Sequence, residues 1–243
     1  MTWNERFALF TPLDAAALAL MILSWIAISY IIENPPARHP SVSILTNRFR
    51  RDWMREMVTR QPRLFDSQVL SLMRQGTAFF ASGTMIAIGG GLALIGNPEP
   101  LVDVAGDLSL INAPQVVWEI KLVVVLVVLS HAFLKFVWAH RLFGYCAILM
   151  AAVPNDPDDP AAYPRAAQAA EISITAARAF NKAMRATYFS LASAAWLLGA
   201  VPLIVATVLT VGMLWRREFA SSSRKALLEV PHGDVSARPP KPV

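Results

Sequence analysis

The chain has 243 residues, of which 55% are hydrophobic and 16% charged, against about 25% charged in an average soluble domain. The excess lies in long apolar runs, which excludes an ordinary soluble fold and points to a single membrane bundle in one domain. The formal net charge of +5 calls for no nucleic acid, because membrane proteins gather Lys and Arg on the cytoplasmic side. The single cysteine, Cys146, excludes an internal disulfide framework and a Cys-based metal site.

After a short, near-neutral leader, residues 15–32 run eighteen positions without a charge. That is about 27 Å of helix, close to the hydrocarbon thickness of a bilayer. The flank before it is hardly basic, and no small-residue cleavage site comes after it, so we read a retained first span with its amino terminus outside. Pro35, Pro36 and Pro40 end it and form a linker. A basic helix is expected over 47–61, with Asn47 as its N-cap. Trp53 and Met57 open an apolar stripe that Met54 and Val58 widen, while Arg48, Arg51 and Arg55 lie largely off it. A helix of that kind suits the lipid headgroup layer. Pro62 separates it from the next helix.

The second span is placed at 75–95. Gly83, Ala87 and Gly91 recur every four residues, a small-residue face that lets another helix approach closely, either in a membrane partner or in a second copy. Residues 97–115 carry Glu99, Asp103 and Asp107 and no Lys or Arg, which marks an outside loop. The third span is placed at 116–138, where Trp118 and Trp138 lie about 30 Å apart along a helix, as two interfacial belts would. An acidic, Pro-rich turn over 154–164 leads to an Ala-rich polar helix over 165–185 and then to a fourth span over 188–215. That span is long enough to require tilt or a kink at Pro202. Residues 216–243 read as a basic, mostly disordered tail.

The expectation is therefore an all-α, four-helix transmembrane bundle with cytoplasmic amphipathic or polar helices. Residues 33–67 hold seven Arg and residues 139–187 hold five Lys or Arg. Four spans put both segments on the cytoplasmic side and both termini outside. The tail dissents, because Arg216, Arg217, Arg224 and Lys225 would then be translocated.

Two stretches resemble a known family. One is Asn47-Arg48-x-Arg50-Arg51-x-Trp53-Met54-x-Glu56-Met57 with Asp66, Gln68, Leu70, Arg74 and Phe79-Phe80-Ala81-Ser82. The other is Lys121…Ala132-Phe133…His140-Arg141 ending at Val153-Pro154. Together they are similar to the domain of unknown function 599 family, integral membrane proteins of bacteria and plants with about four spans. The resemblance implies architecture and the plasma (inner) membrane if the protein is bacterial. It carries no activity, cofactor or catalytic residue.

Ionisable groups inside a span are costly and often functional. His131 and Lys135, four apart, share a helix face. With Arg74 and Arg141 they would form a basic pocket near the inner leaflet, suited to an anionic solute or a lipid phosphate. Arg48, Arg50, Arg51 and Arg55 form a surface cluster suited to anionic headgroups. Gly89-Gly90-Gly91 lacks the Lys-Ser or Lys-Thr of a phosphate loop, and neither metal-ligand spacing nor a nucleophile motif occurs. The sequence reading is a non-enzymatic membrane scaffold or accessory component without cofactor or metal. The alternative is a small transporter or channel for an anionic solute or lipid, and a membrane enzyme acting on lipid ranks last.

Overall fold

The computed structural model describes residues 9–96 and 114–229. The acidic loop expected to lie outside falls almost wholly outside the described residues, as does the end of the tail. The described residues form seven α-helices: α1 (Pro12–Glu33), α2 (Val42–Met57), α3 (Leu64–Gly96), α4 (Gln115–Ala151), α5 (Ala162–Ala194), α6 (Ala200–Phe219) and α7 (Ser222–Leu228). A short 3-10 turn, Ala195–Leu198, joins α5 to α6. The stretches Pro12–Glu33, Leu64–Gly96, Gln115–Ala151 and Ala200–Leu228 are long and apolar enough to cross a membrane. The chain has the architecture of a multi-pass membrane protein.

Local chemistry sets the helix starts. Thr11 and Asp14 form a reciprocal capping box around Pro12, with Thr11 Oγ1 accepting from the Asp14 N–H at 3.2 Å. The basic helix begins earlier than expected. Its N-cap is Ser41, whose Oγ accepts from the Ile44 N–H at 3.3 Å and donates to the Ile32 carbonyl at 2.8 Å. Asn47 lies inside the helix, because Ser41 follows a proline and can serve the end of α1 and the start of α2 at once.

Successive long helices run in opposite directions between two ends. Phe80 stacks on Phe136 with ring centroids 5.5 Å apart, and a side chain added at Gly91 would strike Leu126, so α3 returns along α4. The contact between α4 and α5 is the most extensive in the molecule. Ala166, Ala169, Ala170, Ala176, Ala179 and Ala183 are buried along α5. Such small side chains let two backbones approach, and in a bilayer that van der Waals packing, rather than water exclusion, holds helices together. Trp196 donates from Nε1 to Asp14 Oδ1 at 2.7 Å near one end. Lys182 reaches Glu33 at 3.0 Å toward the other.

The stretch 188–215 is not one span. The backbone breaks at Gly199, with φ 124°, and α6 turns back along α5. Pro202 sits in the first turn of α6, where proline is tolerated. The long polar helix of 165–185 continues to Ala194 and carries the chain across the bundle a further time. Residues 216–228 therefore lie beside α2. Glu218 accepts from the Ser43 N–H at 3.0 Å, Arg224 donates from Nε to the Pro40 carbonyl at 3.0 Å, and Arg48 donates to the Leu227 carbonyl. The sequence reading put the tail at the opposite end from the basic segments; residues 216–228 lie at the same end, and Ser222–Leu228 is helical. Among the described residues every Lys and Arg except Lys121 lies in the half of the bundle nearer α2. The headgroup-layer reading of α2 also changes. Its apolar residues Met54 and Met57 are buried within one core with the alanines of α5 and with Leu142 and Phe143 of α4.

Candidate functional site

A lateral groove of about 440 Å³ opens between α1, α4 and α5. Its α1 wall is Trp25, Ile26, Ser29 and Tyr30. His131 and Lys135 come from α4, and Lys182 from α5. Ile26 and Tyr30 are largely exposed on the apolar outer face of α1. Helical spacing explains the juxtaposition on α4, since 131 and 135 are one turn apart. The Trp25 ring meets the His131 ring edge-on at a centroid distance of 5.4 Å, so the groove is aromatic toward mid-bundle and charged toward the α2 end.

Glu33 closes the charged end. It accepts from Arg185, which is almost fully buried, and from Lys182 at 3.0 Å. Arg185 Nε also donates to Ser29 Oγ at 3.2 Å. Two cations thus hold one carboxylate, and Lys135 makes no ion pair among the described residues. The groove carries a net positive charge with Lys135 as its uncommitted donor. That is an arrangement for holding an anionic group, and no nucleophile–base pair or metal-ligand cluster accompanies it among the described residues.

The structure assembles half of the expected pocket. Arg74 lines a different cavity of about 300 Å³, with Arg63, Ser67, Met150 and Asn155. Arg141 is exposed and donates from Nε to Tyr145 Oη at 2.6 Å. Neither belongs to the groove that His131 and Lys135 line, because α3 and α1 pack on different faces of the α4–α5 pair. Lys182, Glu33 and Ser29 were missed. Glu33 and Lys182 stand about 150 positions apart, and no periodicity within one helix joins them. The Arg cluster of α2 also divides. Arg51 pairs with Glu171 at 2.7 Å, with both side chains more than half exposed, and Arg55 is exposed. Arg48 caps the carbonyl of Leu227. Arg50 turns inward and donates to Ser173 Oγ at 3.0 Å. The small-residue face divides too, with Gly83 facing open space and Gly91 packed on Leu126.

Residues 16–223 match the family described as "Protein of unknown function, DUF599". The chain belongs to this family. No curated protein and no solved structure matches it. Several residues that carry the resemblance to DUF599 proteins have structural work in this chain. Trp53 donates from Nε1 to Asp66 Oδ1 at 2.7 Å, and Arg60 pairs with the same fully buried carboxylate. That contact fastens α2 to the start of α3. In this DUF599 chain the motif builds the layer at the α2 end, and the groove lies beyond it.

Proposed function

We propose that the protein is a non-enzymatic integral membrane component that seats an anionic lipid headgroup in the groove between α1, α4 and α5. The observation that carries this reading is Lys135, a cation without an ion-pair partner among the described residues, beside His131 and Lys182 in a groove that opens on a lipid-facing helix. A phosphate placed there gains charge-assisted hydrogen bonds, and an acyl chain runs along Trp25 and Ile26. The concentration of basic residues around α2 supports reading that end as cytoplasmic. The groove then faces the inner leaflet, where anionic lipids supply the ligand.

Lipid mass spectrometry on the full chain, extracted in detergent from membranes containing phosphatidylglycerol, tests the reading. Lys135→Gln should lower the retained anionic lipid about fivefold, from roughly 1 kcal/mol per basic residue near the surface. Arg141→Gln should leave it unchanged. Equal retention in both variants and the parent would refute the groove as a lipid seat.

A transport reading rests on a separate observation. His131 lies seven residues inside Trp138, about 10 Å along the helix, so the groove reaches into the bilayer interior. If the groove is a carrier path, vesicles reconstituted with the protein will scramble a labelled anionic lipid, and His131→Leu will slow that exchange. A scaffold will bind lipid without exchanging it. The open face of α3 around Gly83 and Ala87 is where a second membrane helix would approach.

A further inference from the structure

A further cavity, of about 330 Å³, lies on the α2 side of the bundle and is walled by five helices. Arg50 of α2, Gly76 of α3, Phe143 of α4, Phe180 and Asn181 of α5, and Arg217 of α6 contribute to it. It is separate from the groove, which shares none of these residues.

Arg50 is the unexplained group. Its Nη1 donates to Ser173 Oγ at 3.0 Å and approaches Met73 Sδ at 3.7 Å. Its Nε is buried without any hydrogen-bond partner. No ion pair among the described residues includes Arg50 or Arg217. Burial pulls the Arg50 guanidinium below its ordinary pKa, and the nearby Cys146 offsets this only in part. A buried guanidinium normally has a carboxylate facing it, because an uncompensated charge away from water is expensive.

Glu218 is the one carboxylate on the cavity wall among the described residues, and it is already engaged. Its Oε2 accepts from the Ser43 N–H at 3.0 Å, and its Oε1 from Ser43 Oγ at 3.1 Å. Asn181 Nδ2 donates to the same Ser43 Oγ at 3.3 Å. Arg217 Nη1 donates to Tyr188 Oη at 3.0 Å, which leaves its other nitrogens uncommitted. The cavity wall thus carries the half-buried Arg50 and the exposed Arg217 with one satisfied carboxylate, beside Met73, Phe143 and Phe180.

We propose that this cavity is a binding site for a small soluble organic anion, a carboxylate or phosphate on an apolar or aromatic body. The anionic head would lie between Arg50 and Arg217, and the body against Phe143 and Phe180. Arginine's fork suits either anion in a bidentate pose. A volume of about 330 Å³ between five helices suits a small molecule better than a two-chain lipid.

The experiment uses the full chain in detergent, with benzoate and phenyl phosphate as probes and benzamide as the uncharged control. Binding is followed by calorimetry and by the thermal midpoint. At least one anion should bind saturably while benzamide does not. Arg50→Gln should weaken that binding about tenfold, the worth of a charge-assisted hydrogen bond, and Arg48→Gln should not. Gly76→Leu is the second variant, because a side chain there starts in open space and obstructs the cavity without touching a charge. It should abolish binding by filling the cavity. Three results would overturn the site: no saturable binding of either anion, equal binding of benzamide, or binding undiminished in Arg50→Gln and Gly76→Leu. Displacement of the bound probe by phosphatidylglycerol micelles would overturn the soluble-ligand assignment.

Discussion

Arg185 shows what a single charged residue does inside this bundle. It is 3% exposed and shares Glu33 with Lys182. Removing the only acidic partner of a buried cation leaves its charge uncompensated, which costs about 3 kcal/mol. Glu33→Gln should therefore lower the unfolding free energy by roughly that amount in denaturant titration of detergent-solubilised protein. Arg185→Leu should cost less, because Lys182 still pairs with Glu33, and the double variant should cost less than the two singles added together. Strict additivity would show that the contact is not energetically coupled. Of the charges on this seam, only His131 and Lys135 were legible beforehand, because they lie one turn apart on one helix. Their partners come from α1 and α5, and only packing brings those helices to the same place. Arg50 makes the same point in reverse. Helical position put it with Arg48, Arg51 and Arg55, yet the docking of α2 turns it inward toward Ser173.

At the scale of the element, glycines separate what a helix tolerates from what the bundle requires. Gly199 has φ 124° and ψ 173°, a region open almost only to glycine. Gly199→Ala should cost about 1–3 kcal/mol on that ground and lower the thermal midpoint. Gly83 lies in helical backbone with open space around it, so Gly83→Ala should be neutral or stabilising, by up to about 1 kcal/mol of helix propensity. Gly91 lies in the same helix but against Leu126. Gly91→Val should destabilise, and Leu126→Ala in the same chain should recover part of the loss. If Gly91→Val and Gly83→Ala behave alike, α3 does not pack on α4 as described. The period of four that placed these glycines on one face was real. It spans about 80° of arc between Gly83 and Gly91, enough for one edge to face α4 and the other to stay open.

At the scale of the molecule, the turn at Gly199 sends α6 back along α5 and puts residues 216–228 at the α2 end. With that end cytoplasmic, as proposed, a fluorescent reporter fused after Val243 should glow in the cytoplasm. A reporter active only outside should stay silent there. The opposite result would mean that α6 does not return along α5. This arrangement also removes the conflict in the charge pattern. Arg216, Arg217, Arg224 and Lys225 join the other basic residues, as the cytoplasmic bias of Lys and Arg requires. Four stretches among the described residues are apolar enough to span a membrane, as the sequence reading expected, and α5 is not among them because it is too rich in alanine and polar residues. It is largely shielded by its neighbours, with Ala183, Ala186, Phe189 and Ala192 buried, and so needs no apolar surface all round.

Class, family, the four apolar stretches and the basic character of one end can be read from the chain alone. All of these depend on local composition and on spacing within a helix, which the residues state directly. Packing settled how many times the chain passes between the two ends, which cations share a cavity and which glycines touch a neighbour. Those depend on which faces of distant helices meet. Lys182 with Glu33, Asn181 with Ser43 and Leu126 with Gly91 are contacts that no periodicity within one segment can specify.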